Sequence, residues 1–378
     1  NRGVHMKKRG FTLVELLAVL VLIAAISLIV FPSIINYINS TKGDISKATK
    51  ELIISSTKLY VSDNAKTFPQ HEGYSYCTTL ETLADKNYID KPFVDSSTGK
   101  ELDLSNTYVK VSYVYDYDLG TTKYTYDVVD TCTAGIADNY ELVTTSGSIA
   151  NLDNKEVVDY KVYGNDTGIS SLNLKTVGKN LVSNIVSRPT AYNVLTAKIE
   201  GGVKPGNKYS VLIKTKITGT DPTARKIGVY SDAGWGSNSN IISAGNGDWQ
   251  IGFTTVTASA SLTHNSDNLD FFNTPNTGYA DYNVTFDYVM IAEGSYDSSM
   301  MYEPYKELKE EVTLPSTLSS NDYIEYKTQT LVKSDGTMQK LNLPKIKTYD
   351  GISNIVINDG TTNYPTKIEL LVRNKNKA

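Results

Sequence analysis

Residues 11–31 read FTLVELLAVLVLIAAISLIVF, 21 positions of which only Thr12, Glu15 and Ser27 are not apolar. As a helix this run is about 31 Å long, enough to cross a hydrocarbon core. Lys7, Lys8 and Arg9 flank its N-terminal end. The positive-inside rule keeps that end cytoplasmic, so the rest of the chain is expected on the far side. A secretory signal peptide would have a shorter apolar core followed by an A-x-A-like site. Here the small pair Ala24–Ala25 sits inside the run. A plain membrane anchor leaves Glu15 without a reason. A carboxylate in an apolar helix costs up to about 2.5–3.5 kcal/mol on insertion scales, less toward the interface, and marks a functional position by default.

The stretch MKKRG-FTLVELL, Met6 to Leu17, resembles the N-terminus of type IV prepilins and type II secretion pseudopilins. The resemblance implies that a prepilin peptidase cuts after Gly10 and that the amine of the new first residue, Phe11, is methylated. It also implies that Glu15 is the acid used in assembly. Met6 is a candidate start, with residues 1–5 a tag or an over-long reading of the gene. The implied partners are the prepilin peptidase, other pilin subunits, a membrane assembly platform, and membrane lipid before assembly. The physics is consistent with this. In a dry helical bundle Glu15 needs a cation, and the α-amine of Phe11 on a neighbouring subunit is the nearest type available. Pairing them would set the axial register and favour transfer from bilayer to filament. Before cleavage that amine does not exist, so leader removal acts as a switch.

After the kink expected at Pro32, Ile38, Ile45, Leu52 and Leu59 recur at seven-residue spacing, widened by Ile34, Ala48 and Ser55. This predicts an amphipathic helix to about Val61 that packs this stripe on the first globular domain. Residues 78–88 predict a short helix capped by Thr78 or Thr79. TYVKVSYVYD (107–116) and KYTYDVVD (123–130), joined by Asp118-Leu119-Gly120-Thr121, predict an antiparallel hairpin. Cys77 and Cys132 are the two cysteines. An even count in an exported chain favours a disulfide, two unpaired thiols being the alternative.

From about residue 139 the helical period stops. VVDYKVYG (157–164), KYSVLIKTKIT (208–218), RKIGVYS (225–231), WQIGFTTVTA (249–258) and NVTFDYVMIAEG (283–294) read as short strands between Gly, Asn and Asp turns, a sandwich or jelly-roll pattern. The high Tyr count, 27 against 8 Phe and 2 Trp, suits half-exposed sheet. DYKVYGN, GKNLV (178–182) and MYEPYKE (301–307) loosely resemble carbohydrate-binding-like modules of phage-tail and other surface proteins. The expected fold is therefore α+β. A long N-terminal transmembrane and amphipathic helix lies on a small antiparallel, pilin-like sheet, followed by an all-β jelly-roll-like sandwich and trailing β-segments. The expected boundaries are a leader at 1–10, a membrane or filament-core helix at 11–32, a pilin-like domain at 33–138, a linker at 139–154, a sandwich at 155–306 and a β-extension at 307–378.

Sugar sites use exposed aromatic faces and a few polar groups. Trp235, in the loop DAGWGSNSN, is the first candidate, with Tyr230, Trp249 and Phe253 near it in sequence. Trp249, at a strand start, reads as core more than as surface. Asp267, Asn268 and Asp270 are a weak calcium pattern, and no metal or other cofactor is expected. With 3 His and 2 Cys and no G-x-S-x-G, H-E-x-x-H, C-x-x-C or P-loop, no catalytic constellation stands out. The chain reads as an enzyme's substrate, not an enzyme. The first ten residues carry four of the cations; without them Lys+Arg falls from 37 to 33 against 41 acids, a charge of −8. That balance opposes DNA uptake by non-specific binding, so no nucleic-acid partner is expected. The reading is a minor or tip subunit of a pilus-like or secretion-like filament, at the membrane before processing and on the cell surface afterwards. It carries a module for glycan or surface adhesion. The alternative is an anchored extracellular adhesin without filament assembly.

Overall fold

The computed structural model describes residues 45–145, 149–230, 239–259 and 268–376. The leader charges Lys7, Lys8 and Arg9, the processing pair Gly10 and Phe11, and Glu15, Pro32, Trp235 and Asp267 lie outside the described residues. Among the described residues no helix is long and apolar enough to cross a membrane. These residues form two compact units. One holds the described residues up to Gln70 with Tyr74–Val114 and Lys123–Gly135, the other His71–Gly73, Tyr115–Thr122 and the described residues from Ile136 onward.

In the first unit α1 (Lys47–Asp63) opens at Ser46, whose hydroxyl accepts from Thr49 N–H, a normal N-cap. The Ser46 N–H donates to Asp95 Oδ2 at 2.7 Å. Burial alone would raise the Asp95 pKa. The N–H groups of Ser46, Thr98 and Ser97, with the Ser46 hydroxyl, outweigh it and hold the carboxyl well below its ordinary value. Then come β1 (Tyr74–Thr79), α2 (Leu80–Asp85), β2 (Tyr108–Asp116), β3 (Thr121–Val129) and β4 (Gly135–Ile136), with sheet order β3-β2-β1-β4. Thr79 caps α2 by accepting from Thr82 N–H. The hairpin turn closes through Asp116, which accepts from the N–H groups of Asp118 and Leu119. A disulfide joins Cys77 to Cys132, Cα atoms 5.9 Å apart. It closes a span of 55 residues, for which the chain-entropy model gives about 4 kcal/mol.

The buried face of α1 differs from the expected one. Ile53, Tyr60 and Val61 enter the core with Phe68, Leu80, Leu83, Val109 and Val111, whereas Leu52 is 54% and Leu59 63% exposed. Two seven-residue series run along this helix one position apart, and periodicity cannot choose between them. The choice falls to Tyr60, whose ring meets Phe68 edge-on at 5.6 Å and Tyr88 at 5.2 Å.

Among the described residues, the regular elements of the second unit are strands and two short 3₁₀ turns. Its strands in chain order are β5 (Tyr140–Thr145), β6 (Ile149–Asp153), β7 (Lys155–Tyr163), β8 (Ile169–Val177), β9 (Val182–Ser187), β10 (Asn193–Ile199), β11 (Lys208–Gly219), β12 (Lys226–Tyr230) and β13 (Ser239–Ile242). There follow β14 (Trp249–Thr257), β15 (Asn268–Thr274), β16 (Tyr282–Glu293), β17 (Glu307–Leu318), β18 (Tyr323–Glu325), β19 (Thr330–Val332), β20 (Met338–Lys340), β21 (Ile352–Asn358) and β22 (Lys367–Asn374). Two sandwiches result. In the first, the sheet β17-β8-β21-β6 faces the sheet β20-β19-β18-β7-β22-β5 across Leu152, Tyr160, Val162, Leu172, Leu318, Ile355 and Leu370. In the second, the sheet β13-β12-β15-β10-β9 faces β14-β11-β16 across Leu195, Tyr209, Ile213, Ile227, Phe271 and Ile291.

Strand pairing thus runs across the boundaries expected from sequence. Residues 139–154 are not a linker: β5 pairs with β22 and β6 with β21. Residues 307–378 are not a trailing extension: β17 pairs with β8 from Glu307↔Val177 onward, and β22 with β7. The second sandwich is an insertion, between β8 and β17, into a framework sandwich built from both flanks. Gly164 shows how closely the flanks meet, because a Cβ there would lie 2.6 Å from the Leu318 carbonyl oxygen and nearer still to that of Ser319. Within the same unit, Arg373 is only 6% exposed. Its Nη2 donates to Glu156 at 2.7 Å. Its Nε is 2.8 Å from Glu72 without the alignment of a hydrogen bond, and the guanidinium lies 3.6 Å above the Tyr115 ring.

Candidate functional site

The inserted sandwich has one sheet face that is apolar and only half covered. On β11 the side chains of Tyr209, Val211, Ile213 and Ile217 point into the core. By alternation, Leu212, Lys214 and Lys216 point outward. The register then sets the rows of the outer face. Trp249 lies opposite Lys216, Ile251 opposite Lys214 and Phe253 opposite Leu212. On the other flank Tyr288 pairs with Lys214 and Met290 with Leu212.

Part of this face is covered by the chain after β16. Met300 packs on Leu212, Met290 and Ala292, with Phe253, Tyr288 and Tyr296 against the cluster. Tyr302 stacks on Tyr288 at 4.3 Å and 17°. The remainder is open: Trp249 is 44%, Ile251 67% and Tyr302 42% exposed. Trp249 is therefore surface, contrary to its reading as core. It begins the outward-facing row Trp249, Ile251 and Phe253, because the inward positions between them include Gly252, where a Cβ would meet the Ile241 carbonyl oxygen at 2.7 Å. That close approach fixes which side of β14 is inside.

One polar pair crosses the face. Lys214 Nζ is 2.7 Å from Asp287 Oδ2 and 5.6 Å from the centre of the Trp249 ring. The hydrogen bond to Asp287 is the main reason the Lys214 pKa lies above its ordinary value. A β-bulge makes this pair. The register moves from Lys214↔Tyr288 to Thr215↔Phe286, so Asp287 has no partner opposite it, and bulged residues are re-aimed in this way. Aromatic faces beside a donor–acceptor pair suit non-covalent recognition of an amphiphilic ligand.

The other candidates fall elsewhere. Tyr230 ends β12 in the opposing sheet, in register with Asp270, so it does not share the sheet of Trp249. Asp270 Oδ1 accepts from Thr196 Oγ1 at 2.6 Å and Asn193 Nδ2 at 3.1 Å. Among the described residues no group of three metal-ligating side chains comes together. Sequence reasoning missed Ile251, Lys214, Asp287, Tyr288 and Tyr302 as members of one face. The alternation in KYSVLIKTKIT hinted at Lys214, but nothing local marks the bulge or the covering segment.

Comparison with known proteins adds little for the β-region. No curated protein matches the chain significantly. Among solved structures, the infectious bursal disease virus Gx strain gives a TM-score of 0.17 at 9% identity, over 80% of this chain and 60% of that one; this overlap defines no shared fold. The N-terminus is specific: residues 5–31 match the prokaryotic N-terminal methylation motif.

Proposed function

We propose that this chain is a minor or tip subunit of a type IV pilus-like or type II secretion-like filament. A prepilin peptidase releases it after Gly10, and it presents its β-region for adhesion outside the cell. The methylation motif over residues 5–31 carries this reading. Glu15, alone among long apolar side chains, gives the motif a mechanism: it pairs with the freed amine of Phe11 on a neighbouring subunit and leaves lipid for the filament core. The apolar stripe Ala48, Leu52 and Leu59 is on the exposed side of α1, which supports burial of that side by other subunits. Two β-sandwiches beyond the first unit are a large load for a shaft subunit, which favours a minor or tip position. The chain is then a peptidase substrate and not an enzyme. It is a single-pass membrane protein with its N-terminus in the cytoplasm until cleavage, and a surface protein afterwards.

The test is intact-mass and N-terminal analysis of the full chain co-expressed with a prepilin peptidase, beside Gly10→Val. A new N-terminus at Phe11, absent from the variant, is expected. An uncut chain, or cleavage after Ala25, would overturn the filament reading in favour of an anchored or secreted adhesin. Glu15→Leu should be cut normally and fail to enter filaments.

A further inference from the structure

We propose that the first globular unit starts its own helix at Ser46, and that Asp95 is the latch holding this break, which acts as a joint between the unit and the chain before it. The role of the joint rests on the filament reading above. The break itself is measured on the uncut chain, so either can fail alone.

The seven-residue spacing of Ile38, Ile45, Leu52 and Leu59 predicts one amphipathic helix through all four. The backbone at Ser46 departs from it, with φ −59° and ψ 151°, which is extended and outside the helical region. In a helix running through this point the Ser46 N–H would donate to the carbonyl one turn earlier. It donates to Asp95 Oδ2 at 2.7 Å instead. The first helical bond of α1 runs from the Lys50 N–H to the Ser46 carbonyl at 2.9 Å.

Asp95 is fixed in place for this contact. It is 2% exposed. Its Oδ1 accepts from the Ser97 N–H at 3.0 Å, the Thr98 N–H at 2.9 Å and the Thr98 hydroxyl at 3.1 Å. A second bond lies beside it, from the Ser96 N–H to Thr49 Oγ1 at 3.0 Å. Two adjacent residues of one loop thus clamp the first turn of α1. That turn has no acidic residue of its own, so Asp95 supplies the negative charge that a helix N-terminus favours. In a continuous helix the N–H groups here would be paired internally, and a buried carboxylate facing them would lack donors.

The consequence is uncoupling. A continuous helix would pass the axial register set by Glu15 and Phe11 straight into the orientation of the globular unit. With a break at Ser46, the joint sets that orientation. A subunit that carries two further sandwiches is then accommodated without a change in how its N-terminal segment packs.

The test is hydrogen exchange, read residue by residue, on the full uncut chain in detergent micelles. The Ser46 amide should exchange more slowly than those of Lys47 and Ala48 by about tenfold or more, the worth of one hydrogen bond to a charged group. Protection should return from Lys50 onward. Equal protection from Ser46 to Ile53 would mean a continuous helix and overturn the break. Equally fast exchange at Ser46, Lys47 and Ala48 would overturn the latch. Asp95→Ala should speed the Ser46 amide about tenfold or more; an unchanged rate also overturns the latch. If that variant does not fold, Lys47→Pro decides. Proline is favoured at the first helical position, and the ψ at Ser46 is the one a residue before proline needs. The thermal midpoint should hold or rise. Inside a continuous helix the same proline would remove a bond and clash with the preceding turn, so a fall of more than about 5 °C would overturn the break.

Discussion

The two sandwiches of the second unit solve the same packing problem differently. The inserted one takes its strands, β9 to β16, from a continuous stretch of chain. The framework joins strands from both sides of that stretch and ties them with polar side chains. Asn165 Nδ2 donates to Asn363 Oδ1 at 2.6 Å and to the Tyr364 carbonyl at 2.7 Å, and Thr366 Oγ1 donates to the Gly164 carbonyl at 2.7 Å. Arg373 draws together Glu72 and Glu156. A sandwich made from distant segments has more chain entropy to overcome and more ways to mispair. Directional hydrogen bonds between the two flanks fix its register; in the contiguous sandwich such bonds, from Thr196 and Asn193 to Asp270 and from Arg225 to the Pro275 and Thr277 carbonyls, join parts of one stretch. The framework holds its position by specific contacts, and the inserted sandwich is left with a face for binding.

That contrast can be broken from either side. Phe271 is fully buried in the inserted core. Phe271→Ala should cost about 3–5 kcal/mol and open the amides of β11 and β16 to hydrogen exchange, while those of β7 and β22 stay protected. Loss of protection in both sandwiches at once would mean that they unfold as one. Arg373→Ala should cost about 2–3 kcal/mol, below the range for fully buried pairs because Glu72 and Glu156 are 23% and 25% exposed. Its effect should fall on framework amides and leave those of β11 and β16 protected. A loss of protection in β11 and β16 in this variant would refute the separation of the two sandwiches.

A smaller effect separates the two by pH. Burial raises the Asp159 pKa to about 6, against opposing hydrogen bonds from the Lys327 and Tyr160 N–H groups. Its folded pKa lies above the unfolded value, so the folded state holds more protons in that window. Stability is then fully present below about pH 4 and falls as pH rises to about 6. The difference between wild type and Asp159→Asn should change by about 3 kcal/mol across that window, as denaturant unfolding followed by framework exchange will measure. A flat difference would remove Asp159 as the cause. Least of all, Trp249→Ala should shift stability by under about 1 kcal/mol, because the side chain is 44% exposed. A larger loss, read from the thermal midpoint, would make Trp249 a structural residue.

Much of the strand content was legible because alternation is local. The stretches at 157–164, 208–218, 225–231, 249–258 and 283–294 became β7, β11, β12, β14 and β16 within a few residues. The partners of those strands were not legible. Nothing in residues 139–154 announces that Tyr140–Thr145 pairs with the far end of the chain, so the stretch reads as a linker. On α1, Leu52 and Ile53 are equally apolar and equally periodic, and only the aromatic cluster around Tyr60 decides which is buried. The site was half legible. Trp249 was a candidate, but its exposure depends on Gly252 meeting β13, and its polar companion depends on a bulge in β16.

The N-terminal logic is readable in the residues alone: a basic start, an apolar run long enough to span a bilayer, and one acid within it. Those features act through solvation and charge along one short stretch of chain, and need no partner elsewhere to be read. Folding in three dimensions settles that one sandwich is inserted into another, which face of α1 is covered, and that Lys214, Asp287, Trp249 and Tyr302 share a surface. Each of those depends on contacts between residues far apart in sequence, and such contacts leave no local period behind.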